Sequence, residues 1–112
     1  IKEAKEMFAR ALRSGVTIAC GSDVGVFAHG ENARELELMV AYGMSPLEAL
    51  RSATVTAAKV LRREKDLGRV AQGYVADLIA VHGDTLADLV TVRKPVVVLK
   101  EGRIEIDLRG RP

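Results

Sequence analysis

Tryptophan is absent, and two Phe with two Tyr bring the aromatic share to only 4% of 112 residues. A core must therefore come mainly from Ala, Val, Leu and Ile, which fits one modest domain's worth of burial. The single cysteine, Cys20, excludes an internal disulfide framework, fits a reducing cytoplasm and reads as a small apolar residue within an apolar run. Only two histidines are present, His29 and His82, with no pair at metal-ligand spacing, so a complete mononuclear catalytic metal site is not expected from these residues alone. A P-loop, a dinucleotide fingerprint and a serine nucleophile elbow are all missing. The segment from Gly21 to Gly30 contains glycines but lacks both the lysine and the spacing, which leaves a cofactor-binding module little support.

Charge of one sign is missing too. Seventeen basic against fifteen acidic residues leave +2, spread without blocks, which gives no support to a nucleic-acid partner. No apolar run approaches a membrane span and no signal-peptide pattern opens the chain, so a soluble, cytoplasmic protein without membrane attachment is expected. The sequence starts with Ile1 rather than Met and enters a helical pattern at once, which suggests that something upstream is missing.

What is present is ordered helix-first. Ala4, Phe8, Ala11 and Leu12 recur every three or four positions between Ile1 and Ser14, predicting a helix with one buried stripe, capped by Gly15. Val16 to Cys20 is apolar or β-branched without alternation, the pattern of a strand covered on both faces in a parallel sheet. A loop from Val24 to Gly30 follows, then a helix from Glu31 and Asn32 carrying Leu36, Met39 and Val40 and stopped by Gly43. Ser45-Pro46-Leu47-Glu48 reads as a capping box with Pro at the first helical position. It opens a helix whose inward face is expected to be Leu47, Leu50, Thr54, Ala57 and Leu61. Beyond Leu61 the period becomes that of strands: Leu67 to Val70, Ala76 to Val81, and Val96 to Leu99 turned by Glu101-Gly102 into Arg103 to Ile106. The expected division is residues 1–63, α/β, and residues 64–112, β-rich.

Two residues are candidates for chemistry. Asp23 follows the expected strand at its carboxyl edge, where ligands collect in α/β folds. Its carboxylate can ligate a divalent metal and take a proton from metal-bound water; a turn or helix-capping role is the plain alternative. His29, in the same loop, could act as a ligand, a proton shuttle or a substrate contact, or be an ordinary exposed loop residue. His82, at a turn, reads as structural.

The wording of the sequence then adds to its periodicity. Gly21-Ser22-Asp23, His29-Gly30-Glu31-Asn32, Glu35-Leu36, Met39-Val40, Gly43-Met44-Ser45-Pro46, Glu48-Ala49-Leu50, Ala53-Thr54 and Ala57-Ala58 together resemble the amidohydrolase superfamily. Leu67-Gly68-Arg69-Val70, Gly73, Ala76-Asp77-Leu78 and Glu101-Gly102-Arg103 continue the likeness, which is nearest to the imidazolonepropionase-like and prolidase-like branch. The resemblance implies the last strand and helices of a (β/α)8 metal-dependent hydrolase barrel, followed by part of a small β-sandwich. It implies a divalent metal, zinc for preference, in the parent enzyme. Asp23 then matches the family's strand-eight aspartate, metal ligand and base, and His29 lies on the substrate side. Ser22 stands where the family usually has Thr. The family's His-x-His pair, bridging lysine or glutamate and two further histidines have no counterpart, so the isolated chain is expected to be inactive and its metal site empty. The implied partners are the rest of the barrel and a small amide or peptide substrate. A non-catalytic α/β fragment that self-associates through Val16 to Cys20 is the alternative.

Overall fold

A computed structural model describes residues 2–25 and 28–111. Ile1, the expected start of the first helix, and positions 26 and 27 of the expected loop lie outside the described residues. Helix α1 spans Lys2–Arg13, and Gly15 with φ +73° ends it as read from the sequence. Its apolar stripe turns Phe8 and Leu12 toward α2, Ala33–Ala41, and Phe8 meets Tyr42 edge-on with ring centroids 6.1 Å apart. Helix α3, Pro46–Ala53, starts on the expected capping box: the Glu48 amide donates to Ser45 Oγ at 3.2 Å, and the Ser45 amide donates to the Glu48 carboxylate at 2.9 Å.

The long helix expected after Ser45 is two helices. Thr54, at φ −123° and ψ −92°, interrupts it, and α4 covers only Val55–Val60. Of the expected inward face, Leu47 in α3, Thr54 at the break and Leu61 after α4 are exposed, while Ala49, Ser52 and Ala58 are buried. The Thr54 hydroxyl donates to the Leu50 carbonyl at 2.8 Å, a local bond of the kind that bends helices. Leu67 to Val70, expected as a strand, is a run of bends and turns. Gly68 has φ +90° there, and an added Cβ would stand 2.7 Å from the Thr54 carbonyl oxygen.

The sheet has three antiparallel strands in the order β1 (Leu78–Ala80), β2 (Val97–Lys100) and β3 (Arg103–Asp107). Glu101 and Gly102 turn the expected hairpin with φ values of 51° and 79°, the positive pair that a tight two-residue turn needs. Asp77 explains how Glu101 tolerates this: its carboxylate accepts the Glu101 amide at 2.9 Å and Lys100 Nζ at 3.1 Å. Between β1 and β2, the 3-10 helix Leu89–Arg93 is capped by Asp88, whose carboxylate accepts the Val90 amide at 3.0 Å. It inserts Leu89 into the cluster formed by Leu36, Met39, Met44 and Ala49, so this connection between the strands shares the core of the helices.

Val16 to Cys20 is not a strand. Among the described residues no ladder pairs with it, and Val16 is 57% exposed. The Cys20 amide instead donates to the carbonyl of Ser52 at 2.9 Å. Ser52 is itself 1% exposed, with its hydroxyl satisfied by the Ala49 carbonyl at 2.6 Å. An apolar β-branched run acquires strand structure only from neighbouring segments that take its amides and carbonyls; here the Val16 amide turns back to the Ala11 carbonyl of α1 at 3.2 Å, and among the described residues only the Cys20 amide reaches a distant segment.

Candidate functional site

The segment fixed by Ser52 leads into Ser22 and Asp23. Asp23 is exposed, with φ +47°, a left-handed conformation that Asp tolerates better than most residues because its short polar side chain suits it. Among the described residues its carboxylate has no hydrogen-bond or ion-pair partner. His29 occupies the turn before Gly30 and is exposed as well. His82 is exposed in a bend after β1.

The loop between Asp23 and the start of α2 is held at its two ends by Asn32. Its amide nitrogen donates to Ser22 Oγ at 3.1 Å, and its amide oxygen accepts the Gly30 backbone N–H at 3.2 Å. A position before a helix usually spends such a side chain on capping, but Asn32 makes no cap bond to α2. One residue earlier, Glu31 accepts Arg93 Nη1 at 2.7 Å. The same guanidinium grips Glu37 through Nε at 2.5 Å and Nη2 at 2.9 Å, a two-point fork from the 3-10 helix onto α2. These bonds hold the Glu37 carboxyl below its usual range and push the Arg93 guanidinium further up. Neither Asn32 nor Arg93 was legible as a site-shaping residue. Asn32 reaches Gly30 only two residues away, but its other partner, Ser22, is ten away and those of Arg93 are 56 and 62 away, separations at which a single sequence gives no signal for pairing.

Cys20 is half-buried, and burial first, then the negative charge of Glu35, pushes its thiol pKa up. That favours the inert thiol over a nucleophilic thiolate. An apolar groove of about 420 Å³ runs between α4 and residues 67–79, lined by Ala57, Leu61, Val70, Leu78 and Ile79. It shares no residue with the Asp23 loop.

As a metal centre the arrangement is partial. Among the described residues no three His, Cys, Asp or Glu side chains gather closely enough to hold an ion. Asp23 fits the role of one exposed oxygen ligand and no more.

The profile of the Amidohydrolase family matches residues 1–104, and the chain belongs to this family. Ochratoxinase from Aspergillus niger is 38% identical over 90 residues, 79% of this chain and 18% of that protein. Adenine deaminase 2 from Rhizobium etli is 46% identical over 66 residues, 59% of this chain and 10% of that one. Among solved structures, a Xaa-Pro dipeptidase with bound methionine in its active site superposes with a TM-score of 0.88 at 41% identity, over 91% of this chain and 25% of the dipeptidase. The A. niger ochratoxinase structure superposes with a TM-score of 0.81 at 31% identity, over 92% and 24%. The chain thus spans about a tenth to a quarter of the length of these relatives.

Proposed function

We propose that the chain is the carboxyl-terminal part of a metal-dependent amidohydrolase that cleaves the C–N bond of a small amide, such as a dipeptide or an N-acyl amino acid. In this reading residues 1–63 form the end of a (β/α)8 barrel and residues 64–112 part of a small β-sandwich. The observation that carries it is the exposed Asp23 carboxylate, without a partner among the described residues and set at the mouth of the loop that Asn32 closes. The likeness to a Xaa-Pro dipeptidase supports a peptide-like substrate.

A divalent ion, zinc for preference, supplies Lewis acidity that makes water nucleophilic near neutral pH when bound. Asp23 would hold that ion as one of its ligands, the others coming from outside these residues. Its carboxylate accepts the proton that the attacking water releases and delivers it to the departing amine nitrogen, so the amine leaves neutral. His29, exposed beyond Asp23 in the same loop, would contact the substrate. The 112 residues alone are expected to turn nothing over.

The test is hydrolysis of a dipeptide series by the native protein that carries these residues, with metal content measured alongside. Asp23→Asn should cost at least about a hundredfold in kcat, the range of a lost general base. An Asp23→Asn protein with unchanged kcat and metal content would sink the reading.

The exposed apolar side chains favour a second reading, self-association: Val16 is 57%, Val70 87% and Ile79 53% exposed. Under it the unfolding midpoint of the 112-residue chain rises with protein concentration.

A further inference from the structure

We infer that Asn32 is a positioning residue, a clip that sets the spacing between Asp23 and His29. The inference rests on the proposed function for its catalytic meaning, while its structural content stands apart from it. One amide reaches both flanks of the loop at once: Nδ2 donates to the residue before Asp23, and Oδ1 accepts from the residue after His29. The carboxamide suits this task because it carries a donor and an acceptor on one rigid plane, so the two contacts fix each other's direction. Its helix-capping capacity is left unused.

The clip is held from behind. The Asn32 carbonyl accepts the Glu35 amide at 3.2 Å and the Glu31 carbonyl accepts the Arg34 amide at 3.0 Å, so the backbone carrying the carboxamide is already part of the helix entry. Arg93 then ties the Glu31 side chain to the far segment. A mobile carboxylate at Asp23 loses rate because misplacement by about an ångström weakens proton transfer and ligation alike. Asn32 touches no reacting atom, and its influence runs through Ser22 and Gly30.

The experiment has two arms. In the 112-residue chain, amide hydrogen exchange at Gly30 is compared in wild type, Asn32→Ala, Asn32→Asp, Ser22→Ala and the double variant Asn32→Ala/Ser22→Ala. Asn32→Ala should speed Gly30 exchange roughly fivefold, the loss of one ordinary hydrogen bond, while the amides of α3 hold their rates. Asn32→Asp keeps an acceptor for Gly30 and can accept the Ser22 hydroxyl, so it should restore protection, and Ser22→Ala should add little on top of Asn32→Ala. In the native protein that carries these residues, Asn32→Ala should lower kcat about tenfold at unchanged KM, with Asn32→Asp recovering most of it. Gly30 exchange indifferent to Asn32→Ala overturns the clip. Faster exchange with an intact kcat, in a protein that Asp23→Asn inactivates, overturns its catalytic role. A protein that survives Asp23→Asn removes the proposed function alone, and Gly30 exchange still decides the clip.

Discussion

Gly68 sits at the junction where α4 begins, and replacing it with alanine isolates two costs that are usually entangled. Its φ of +90° is strained for any residue with a Cβ, at about 1–2 kcal/mol. The added Cβ would also stand 2.7 Å from the Thr54 carbonyl oxygen, 2.9 Å from the Thr54 carbonyl carbon and 3.1 Å from Ala58 Cβ. Two of those three atoms are backbone, and the oxygen already accepts the Ala58 amide that starts α4, so no side-chain rotation relieves the clash. Overpacking of this kind adds about 1–3 kcal/mol, for a total of about 2–5 kcal/mol. Gly73 is the internal control: its φ is +88°, but nothing lies within 4 Å of an added Cβ, so it carries the conformational cost alone. At about 4 °C per kcal/mol for a domain of this size, Gly68→Ala should lose roughly 8–20 °C in Tm and Gly73→Ala roughly 4–8 °C. Thermal and urea unfolding followed by circular dichroism, each at two protein concentrations, reads both. Equal losses in the two variants would refute the claim that Thr54 and Gly68 are in contact.

Acid stability follows from the carboxylates. Glu48, Asp66, Asp77 and Asp107 are all held below their ordinary values, by the Ser45 amide, Arg63, the Glu101 amide and Arg109 respectively, with Asp107 lowered to about 2. Depressed values mean that the folded state binds these protons later than the unfolded one, so their stabilisation is complete above the ordinary values of 4.5 for Glu and 3.8 for Asp. The urea midpoint should therefore be flat near neutrality and fall from about pH 4.5 to about pH 2. A midpoint that rises on acidification contradicts the assignment. Cys20 should react with a thiol reagent more slowly in the folded chain than in urea, and Glu35→Gln should speed the folded reaction by removing the nearby negative charge. Identical folded and unfolded rates at one pH would place the thiol in solvent instead.

The helices were legible where their signals are local. The stripe through Phe8 and Leu12, the stop at Gly43 and the Ser45-Glu48 box each involve residues within a few positions of one another, and each is present. The hairpin at Glu101-Gly102 was legible for the same reason, whereas the role of Asp77 beneath it was not. The strand expected at Val16 to Cys20 fails because a strand is a relation between segments, and among the described residues the run's amides meet only the Ala11 carbonyl, within the preceding helix, and the single carbonyl of Ser52. Leu67 to Val70 fails because Gly68 is there for its positive φ and missing side chain, not as a strand residue. The 3-10 helix at Leu89–Arg93 is hidden by Val90, Thr91 and Val92, which favour strands, and it forms because Asp88 caps it and Leu89 is buried. Asp23 could be named from its position after Gly-Ser; the bonds that fix its loop could not.

The Arg93 fork places a delay in the life of the molecule. Glu31 and Arg93 are 62 residues apart, and a ribosome adds roughly 5–20 residues per second. During synthesis the turn containing Asp23 is therefore finished about 3–12 s before the guanidinium that steadies its exit exists. Among the described residues Asn32 holds the turn first and the Ser52 carbonyl joins it only once residue 52 has been added, so a nascent chain stalled before residue 93 would be more open to proteases there than a released one.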